Sequence, residues 1–246
     1  MIKFFRKIRK RLLTENKFSK YFLYAIGEII LVVLGILIAL NVNNNNSEKK
    51  DRVLEIKILK EIGSNLQIDL QELRDDISHM DSLNRSCNNI INFIKTETIP
   101  KKEFYLNAAM LRVSPHFDPN KSGYSLLVSK GADIILNDSL RKSISVLYET
   151  NYVYYFRYEE ERIQFRANNI APKLQEYFTM LIRPDLTYKG EFQISQEDYS
   201  QLKKDKSFVK LMTTTIFENS LVLVRAKRIE KNILELSSQL LNEIDK

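Results

Sequence analysis

Two hydrophobic rhythms run along this chain. From Tyr21 to Val42 the residues YFLYAIGEIILVVLGILIALNV are apolar or small and are interrupted by a single acid, Glu28. Beyond Lys50 the pattern changes. From Ile56 through Leu59, Ile62, Leu66, Leu70, Leu73, Ile77, Met80, Leu83, Cys87 and Ile90 to Ile94, apolar positions recur at alternating spacings of three and four. That recurrence predicts one long amphipathic helix. Pro100 ends it, Lys101 to Val113 reads as a shorter helix, and Ser114 to Gly123, with Pro115 and Pro119, reads as a loop.

Helix resumes near Tyr124, is punctuated by Gly131, and restarts behind Asn137 or Asp138 as N-cap. Its predicted inner face is Ile144, Tyr148, Tyr152, Phe156, Ile163, Ala167, Ile170, Leu174, Tyr177 and Leu181, with Pro172 expected to kink or divide it. Arg183 to Ile194 reads as irregular. Ser195 and Asp198 form a capping signal for a short helix, and Asp205 is the expected cap of a last long helix with Val209, Met212, Ile216, Leu223, Ala226, Ile233, Leu236, Leu240 and Ile244 inward. Three long helical stripes with almost no alternating pattern predict an all-α fold, an N-terminal transmembrane helix followed by a long-helix bundle.

As a helix, Tyr21 to Val42 is about 33 Å long, enough for the roughly 30 Å hydrocarbon layer. Ala39-Leu40-Asn41 lacks the small-residue pattern of a signal-peptidase site, so the run reads as an uncleaved anchor. Charge sets its direction. Residues 1–20 hold eight basic groups and one acid, which accounts for the whole net charge of +7; residues 21–246 carry thirty of each sign. The positive-inside rule then places the N-terminus in the cytoplasm and the long remainder across the membrane. The same partition removes the argument from a pI of 9.2 to nucleic acid, since the large domain has no positive excess to offer phosphates.

The domains expected are therefore a basic amphipathic cytoplasmic segment (1–20), a transmembrane helix (21–42), a polar linker (43–50) and an α-helical bundle domain on the far side of the membrane (51–246). Apolar residues at helical spacing in the first segment suit it to lie on anionic lipids. Glu28, about 10 Å inside the run, is a candidate intramembrane polar site, or else a carboxylate that snorkels to the headgroups or pairs. Gly27, Gly35 and Ala39 form a small-residue face on which a second helix, from a homodimer or another membrane protein, can approach closely.

The stretch from Glu15 to Asn41, ENKFSKYFLYAIGEIILVVLGILIALN, resembles the N-terminal signature of an uncharacterised family of membrane-anchored proteins from Gram-negative bacteria that carry a domain of unknown function. Tyr124 to Leu140 is similar to a second, weaker pattern of that family, a Tyr-led helix, a Gly and an Asp-capped helix. The family commonly has a Trp just after the span, where this chain has Asn43 to Asn46 and no Trp anywhere. The resemblance implies architecture and brings no activity.

Candidate chemistry is sparse. The single cysteine, Cys87, stands at an apolar helix position and reads as a small buried hydrophobe. Asp76 and His79 have the i, i+3 spacing of carboxylate-bridged metal bundles but lack a second such pair, so Asp75, Asp76 and His79 read as a solvated helix face. Asp118-Pro-Asn120-Lys-Ser122-Gly123 matches half a calcium loop and then departs from it, with Ser129 where the bidentate Glu belongs; turn and cap chemistry accounts for the same residues. The densest aromatic cluster, Tyr148 to Tyr158, cannot face one core entirely. Core plus rim packing is one reading; a groove or partner surface at Tyr148, Tyr152, Tyr155 and Glu159 is the other. Glu159 falls on the apolar stripe, where it calls for an arginine such as Arg162 or Arg166.

No nucleophile triad, phosphate loop, nucleotide fingerprint or zinc spacing is present. The expectation is a non-enzymatic protein without cofactors or catalytic, cofactor-binding or metal sites, serving as an interaction or envelope-structural module. The alternative is a periplasmic ligand sensor that signals through a membrane partner.

Overall fold

The computed structural model describes residues 18–181 and 191–246, so the expected amphipathic helix at the extreme N-terminus lies outside the described residues except at its last positions. The fold is all-α, with 86% of residues helical. Helix α1 runs Phe18–Thr96, followed by α2 (Lys102–Met110), α3 (Ser122–Lys130), a 3-10 turn (Ala132–Ile134), and a bundle helix in three α segments. These are α4 (Asp138–Ser145), α5 (Tyr152–Phe165) and α6 (Ala171–Tyr177), joined by π-helical turns Val146–Asn151 and Arg166–Ile170. Strands β1 (Thr179–Leu181) and β2 (Glu191–Gln193) precede α7 (Gln196–Lys204) and α8 (Lys206–Ile244).

By internal contacts the chain divides after Glu55. In the first unit, residues 25–42 of α1 are exposed except for half-buried Ala25 and Glu28. The polar stretch 43–50, expected as a linker, is helical. Asparagine costs only a few tenths of a kcal/mol per helical residue, and Asn45 Nδ2 donates to Asn41 Oδ1 one turn earlier at 3.0 Å.

The core lies in the second unit, Ile56–Lys246. Here α1 and α8 are antiparallel: Arg74 Nε meets Glu230 Oε1 at 2.7 Å, and Asn84 Nδ2 donates to Ser220 Oγ at 3.1 Å further along. The helix α4–α6 packs on α8, also antiparallel, with Asn137 Nδ2 donating to Glu243 Oε2 at 2.6 Å near one end. The apolar stripe of α1 is enclosed, with Leu59, Ile62, Leu66 and Cys87 fully buried, and burial pushes the Cys87 thiol up to about 12. At the far end Phe104 is edge-on to Tyr199 at 5.1 Å and stacks on Phe178 at 5.9 Å.

The caps read from sequence are formed. Asn137 accepts from the Leu140 N–H, Ser195 from the Asp198 N–H, and Asp205 from Ser207 and Phe208. Pro172 divides the helix as expected, standing in the first turn of α6 just after the π turn Arg166–Ile170. Two expectations are corrected. The helical stripe expected to reach Leu181 ends at Tyr177, and Thr179–Leu181 instead pairs antiparallel with Glu191–Gln193, inside the segment read as irregular, in strands too short to show a period of two. Finally, the inner face of α5 is Tyr152, Tyr155, Glu159 and Arg162; Phe156 is half-buried, and Ile163 and Ala167 are exposed. The consecutive four-residue steps 144–148–152 and 166–170–174 pass through the two π turns, where the wider winding keeps them aligned.

Gly123, in the first turn of α3, sits against α1 so closely that an added Cβ would lie 2.7 Å from the Ile62 nitrogen. Main chain cannot yield as a side-chain tip can. Gly123→Ala is expected to lower stability by about 1–3 kcal/mol, while Gly63→Ala, helical with nothing within 4 Å of the new methyl, is expected to raise it by about 0.5–1 kcal/mol. Urea unfolding of the detergent-solubilised chain checks both, and equal effects would refute the close α1–α3 approach.

Candidate functional site

Between α2 and α3 the chain crosses the bundle as an irregular segment, residues 113–121. Pro115 and Pro119 lack N–H donors and bar the residues before them from helix, so this segment must find partners for its main chain elsewhere. Buried side chains of α1 and α5 provide them. The Asn120 N–H donates to Asp69 Oδ1 at 2.8 Å, the Phe117 N–H to Glu159 Oε1 at 3.3 Å, and Arg162 Nη2 to the Pro115 carbonyl. Asn65 Oδ1 extends the row by accepting from the Gly123 N–H at 2.9 Å and Ser122 Oγ at 3.1 Å. The ring of Phe117, fully buried, lies edge-on to Tyr152 at 5.5 Å and to Tyr155 at 6.1 Å.

Under this segment is an enclosed charged cluster. Glu159 is 1% exposed and Arg162 6%, with Arg162 Nη2 3.8 Å from Glu159 Oε1. His116 Nδ1, on the solvent side, is 3.5 Å from Glu159 Oε2. Arg162 Nη1 reaches Asn219 Oδ1 on α8 at 3.4 Å, and Asn219 Nδ2 donates to the Met80 carbonyl and to Asn84 Oδ1, each at 2.8 Å. Asp69 Oδ2 accepts from the Tyr152 hydroxyl at 3.2 Å. Asp76, 8% exposed, completes the cluster within the field of Arg162, His79 and His116. Among the described residues, Asp76 Oδ2, Glu159 Oε2, Arg162 Nε and the hydroxyls of Tyr148 and Tyr155 find no hydrogen-bond partner. Arg162 borders a cavity of about 10 Å³ with Ser114, Thr215, Glu218 and Asn219, room for about one water.

Burial dominates the acid–base behaviour. It raises Asp69 to about 6 against the Asn120 and Tyr152 donors, and raises Asp76 to about 6 with help from nearby Glu72. It raises Glu159 to about 7 despite Arg162, the Phe117 N–H and His116. The phenols of Tyr148, Tyr152 and Tyr155 are pushed up by the same desolvation. The cluster can hold protons near neutrality and anchor a loop. Among the described residues no three His, Cys, Asp or Glu side chains are placed to hold a metal ion.

Of the residues singled out from sequence, Tyr148, Tyr152, Tyr155 and Glu159 do come together, but in the interior. All four are at most 4% exposed, which corrects the reading of them as a partner surface. The phenols at the rim are Tyr154 and Tyr158, whose hydroxyls are 3.2 Å apart, with the Arg225 guanidinium 3.4 Å above the Tyr158 ring. Asp76 is likewise buried, whereas Asp75 and His79 are on the solvated face as expected. The half calcium loop is spent on docking: Asp118 is exposed while Asn120, Ser122 and Gly123 bond to α1. Glu28 is half-buried and makes a polar interaction; Gly27, Gly35 and Ala39 are exposed, with nothing within 4 Å of a Cβ built on either glycine.

Asp69, Asn65 and Asn219 carry no sequence expectation, and Asp76 is read there as solvated. The signal for the acids lies in the register: Ile62, Leu66, Asp69, Leu73, Asp76, Met80 and Leu83 keep unbroken steps of four and three, so each Asp occupies an inward position that hydrophobicity alone assigns to Leu70 and Ile77.

Because Asp69, Asp76 and Glu159 keep their protons to higher pH folded than unfolded, unfolding between about pH 4 and 7 releases protons. Their contribution is greatest below the unfolded values near 4 and is lost as pH rises through 6 to 7. Asp205 works oppositely and elsewhere: although partly desolvated, it is held below the usual range by Ser207, Lys173 and Tyr177, so its contribution is lost only under strong acid. The unfolding free energy from urea titration is expected to fall from pH 5 to pH 8, by roughly 1–3 kcal/mol for each buried acid, with the midpoint falling in step, and Glu159→Gln is expected to flatten that slope. Arg162→Ala, which strands a buried carboxylate, is expected to cost roughly 3–5 kcal/mol at pH 8 and less at pH 5. A pH-independent midpoint would refute the assignment.

No curated protein and no solved structure matches the chain. The model of a family of unknown function, DUF6090, matches residues 28–220, from the apolar part of α1 through the charged cluster and into α8. The match takes in most of the chain, and the protein belongs to the DUF6090 family.

Proposed function

We propose that this protein is a single-span, membrane-anchored helical module of the bacterial inner membrane, with its N-terminus cytoplasmic and its bundle periplasmic, acting as a non-enzymatic interaction or envelope-structural part. One observation carries this reading. The most apolar window of α1 has a mean hydropathy of 2.6 over 18 residues, and none of it is buried within the molecule. So long an exposed apolar surface needs a cover. A bilayer supplies one without requiring any polar partner, because a helix satisfies its own main chain. The eight basic residues before the run give the orientation and an attraction to anionic lipid. The open face at Gly27, Gly35 and Ala39 suits a second helix, from another copy or from a membrane partner. The non-enzymatic reading is supported by the use made of the buried polar groups, which hold a loop to the bundle.

The enclosed titratable cluster favours a second reading, a ligand sensor that signals through a membrane partner. A thermal-shift screen across metabolites separates the two, since a ligand selective for the folded state raises stability. For the first reading, the chain is expected to stay with membranes through alkaline carbonate, and a reporter that works only outside the cytoplasm is expected to be active when fused behind Lys246. Release by carbonate, or activity only of an intracellular reporter, refutes it. Crosslinking in intact cells is expected to return the same partner, or a dimer, repeatedly.

A further inference from the structure

Segment 113–121 is held in an unusual way. Among the described residues, positions 114–120 make no hydrogen bond to other main chain. Their fixings are the two carboxylates and the guanidinium beneath, the buried ring of Phe117, and Pro115 and Pro119, which are also buried. The segment is at the same time the lid that keeps water from those carboxylates. We propose that residues 113–121 form a proton-controlled strap, closed over Asp69, Asp76 and Glu159 while these acids carry protons and released as they ionise, uncovering the aromatic pocket that Phe117 fills.

The charges on every side favour this direction. Glu159 faces Arg162 and Tyr155 of its own helix and His116 of the strap; Asp76 lies in the field of Glu72 and His79 of its own helix, Arg162 of α5 and His116 of the strap; α8 presents neutral Asn219 to Arg162, and Glu218 beside the cavity. Asp69 faces Glu72 of its own helix, Asp118 of the strap, and Tyr152 and Tyr148 of the bundle helix. With all acids ionised, carboxylates outnumber the one enclosed guanidinium, and Asp69 stands between two further negative groups. The Phe117 and Asn120 N–H groups stabilise the anions in the closed state, but burial outweighs them at both sites. Opening exchanges burial for water, so loss of protons favours opening.

Site-resolved hydrogen exchange on the full-length chain in detergent tests this. After correction for intrinsic rates, the Phe117 and Asn120 amides are expected to be less protected than the core amide of Ala226, the mark of local opening. Their protection is expected to fall at least about tenfold from pH 5 to pH 8, the equivalent of one unit of displaced pKa. Glu159→Gln and Asp69→Asn, which keep an acceptor oxygen and remove the proton, are expected to reduce that fall. Protection independent of pH, or equal to that of Ala226 at every pH, overturns the strap. Should a variant fail to fold, the wild-type comparison across pH still decides.

Discussion

A carboxylate and a guanidinium closed inside an apolar bundle must each be met by a donor or acceptor, and here several of those partners are main-chain groups of one loop. Glu159 and Arg162 lie three residues apart on α5, yet the Phe117 amide and the Pro115 carbonyl that complete them arrive from the crossover between α2 and α3. The arrangement is reciprocal. The loop cannot satisfy its own backbone, having two prolines and no strand or helix to join, and the ion pair cannot satisfy its remaining lone pair and N–H without the loop. Removing either leaves polar groups buried without partners, at a cost comparable to a large share of a domain's stability. Asn219 ties the same pair to α1 through the Met80 carbonyl and Asn84, so the three long helices meet at this one polar point.

Much of the fold was legible because it is periodic. The stripe from Leu59 to Ile94, the caps at Asn137, Ser195 and Asp205, and the break at Gly131, whose φ of +94° suits glycine, follow from local rules that the tertiary structure does not override. The site was less legible, and for a related reason. Reading inward positions by hydrophobicity selects Leu70 and Ile77 over Asp69 and Asp76, and Ile163 over Arg162, although the acids keep the better register. A buried polar residue is recognised by what compensates it, and the compensating groups are about 40 to 50 residues away in sequence.

The pairing of Glu159 with Arg162 could be anticipated, since both lie on one helix at a favourable spacing. The part played by His116 and Phe117 could not, because a loop carries no period from which a contact can be read. The strands at Met180 and Phe192 escaped for want of length.

The two π turns within the helix from Asp138 to Tyr177 bear on how such a protein can change. Each accommodates one residue more than an α-helix would in the same length, so a chain lacking one residue there would wind as plain α-helix and still present the same rows beyond the turn. Wound as α-helix throughout, the present chain would instead be rotated by about 100° past the first turn, carrying Glu159 and Arg162 away from α1. The widened turn at Val146–Asn151 thus works as a slack coil, taking up a one-residue difference in length while the bundle goes on enclosing the same row of side chains.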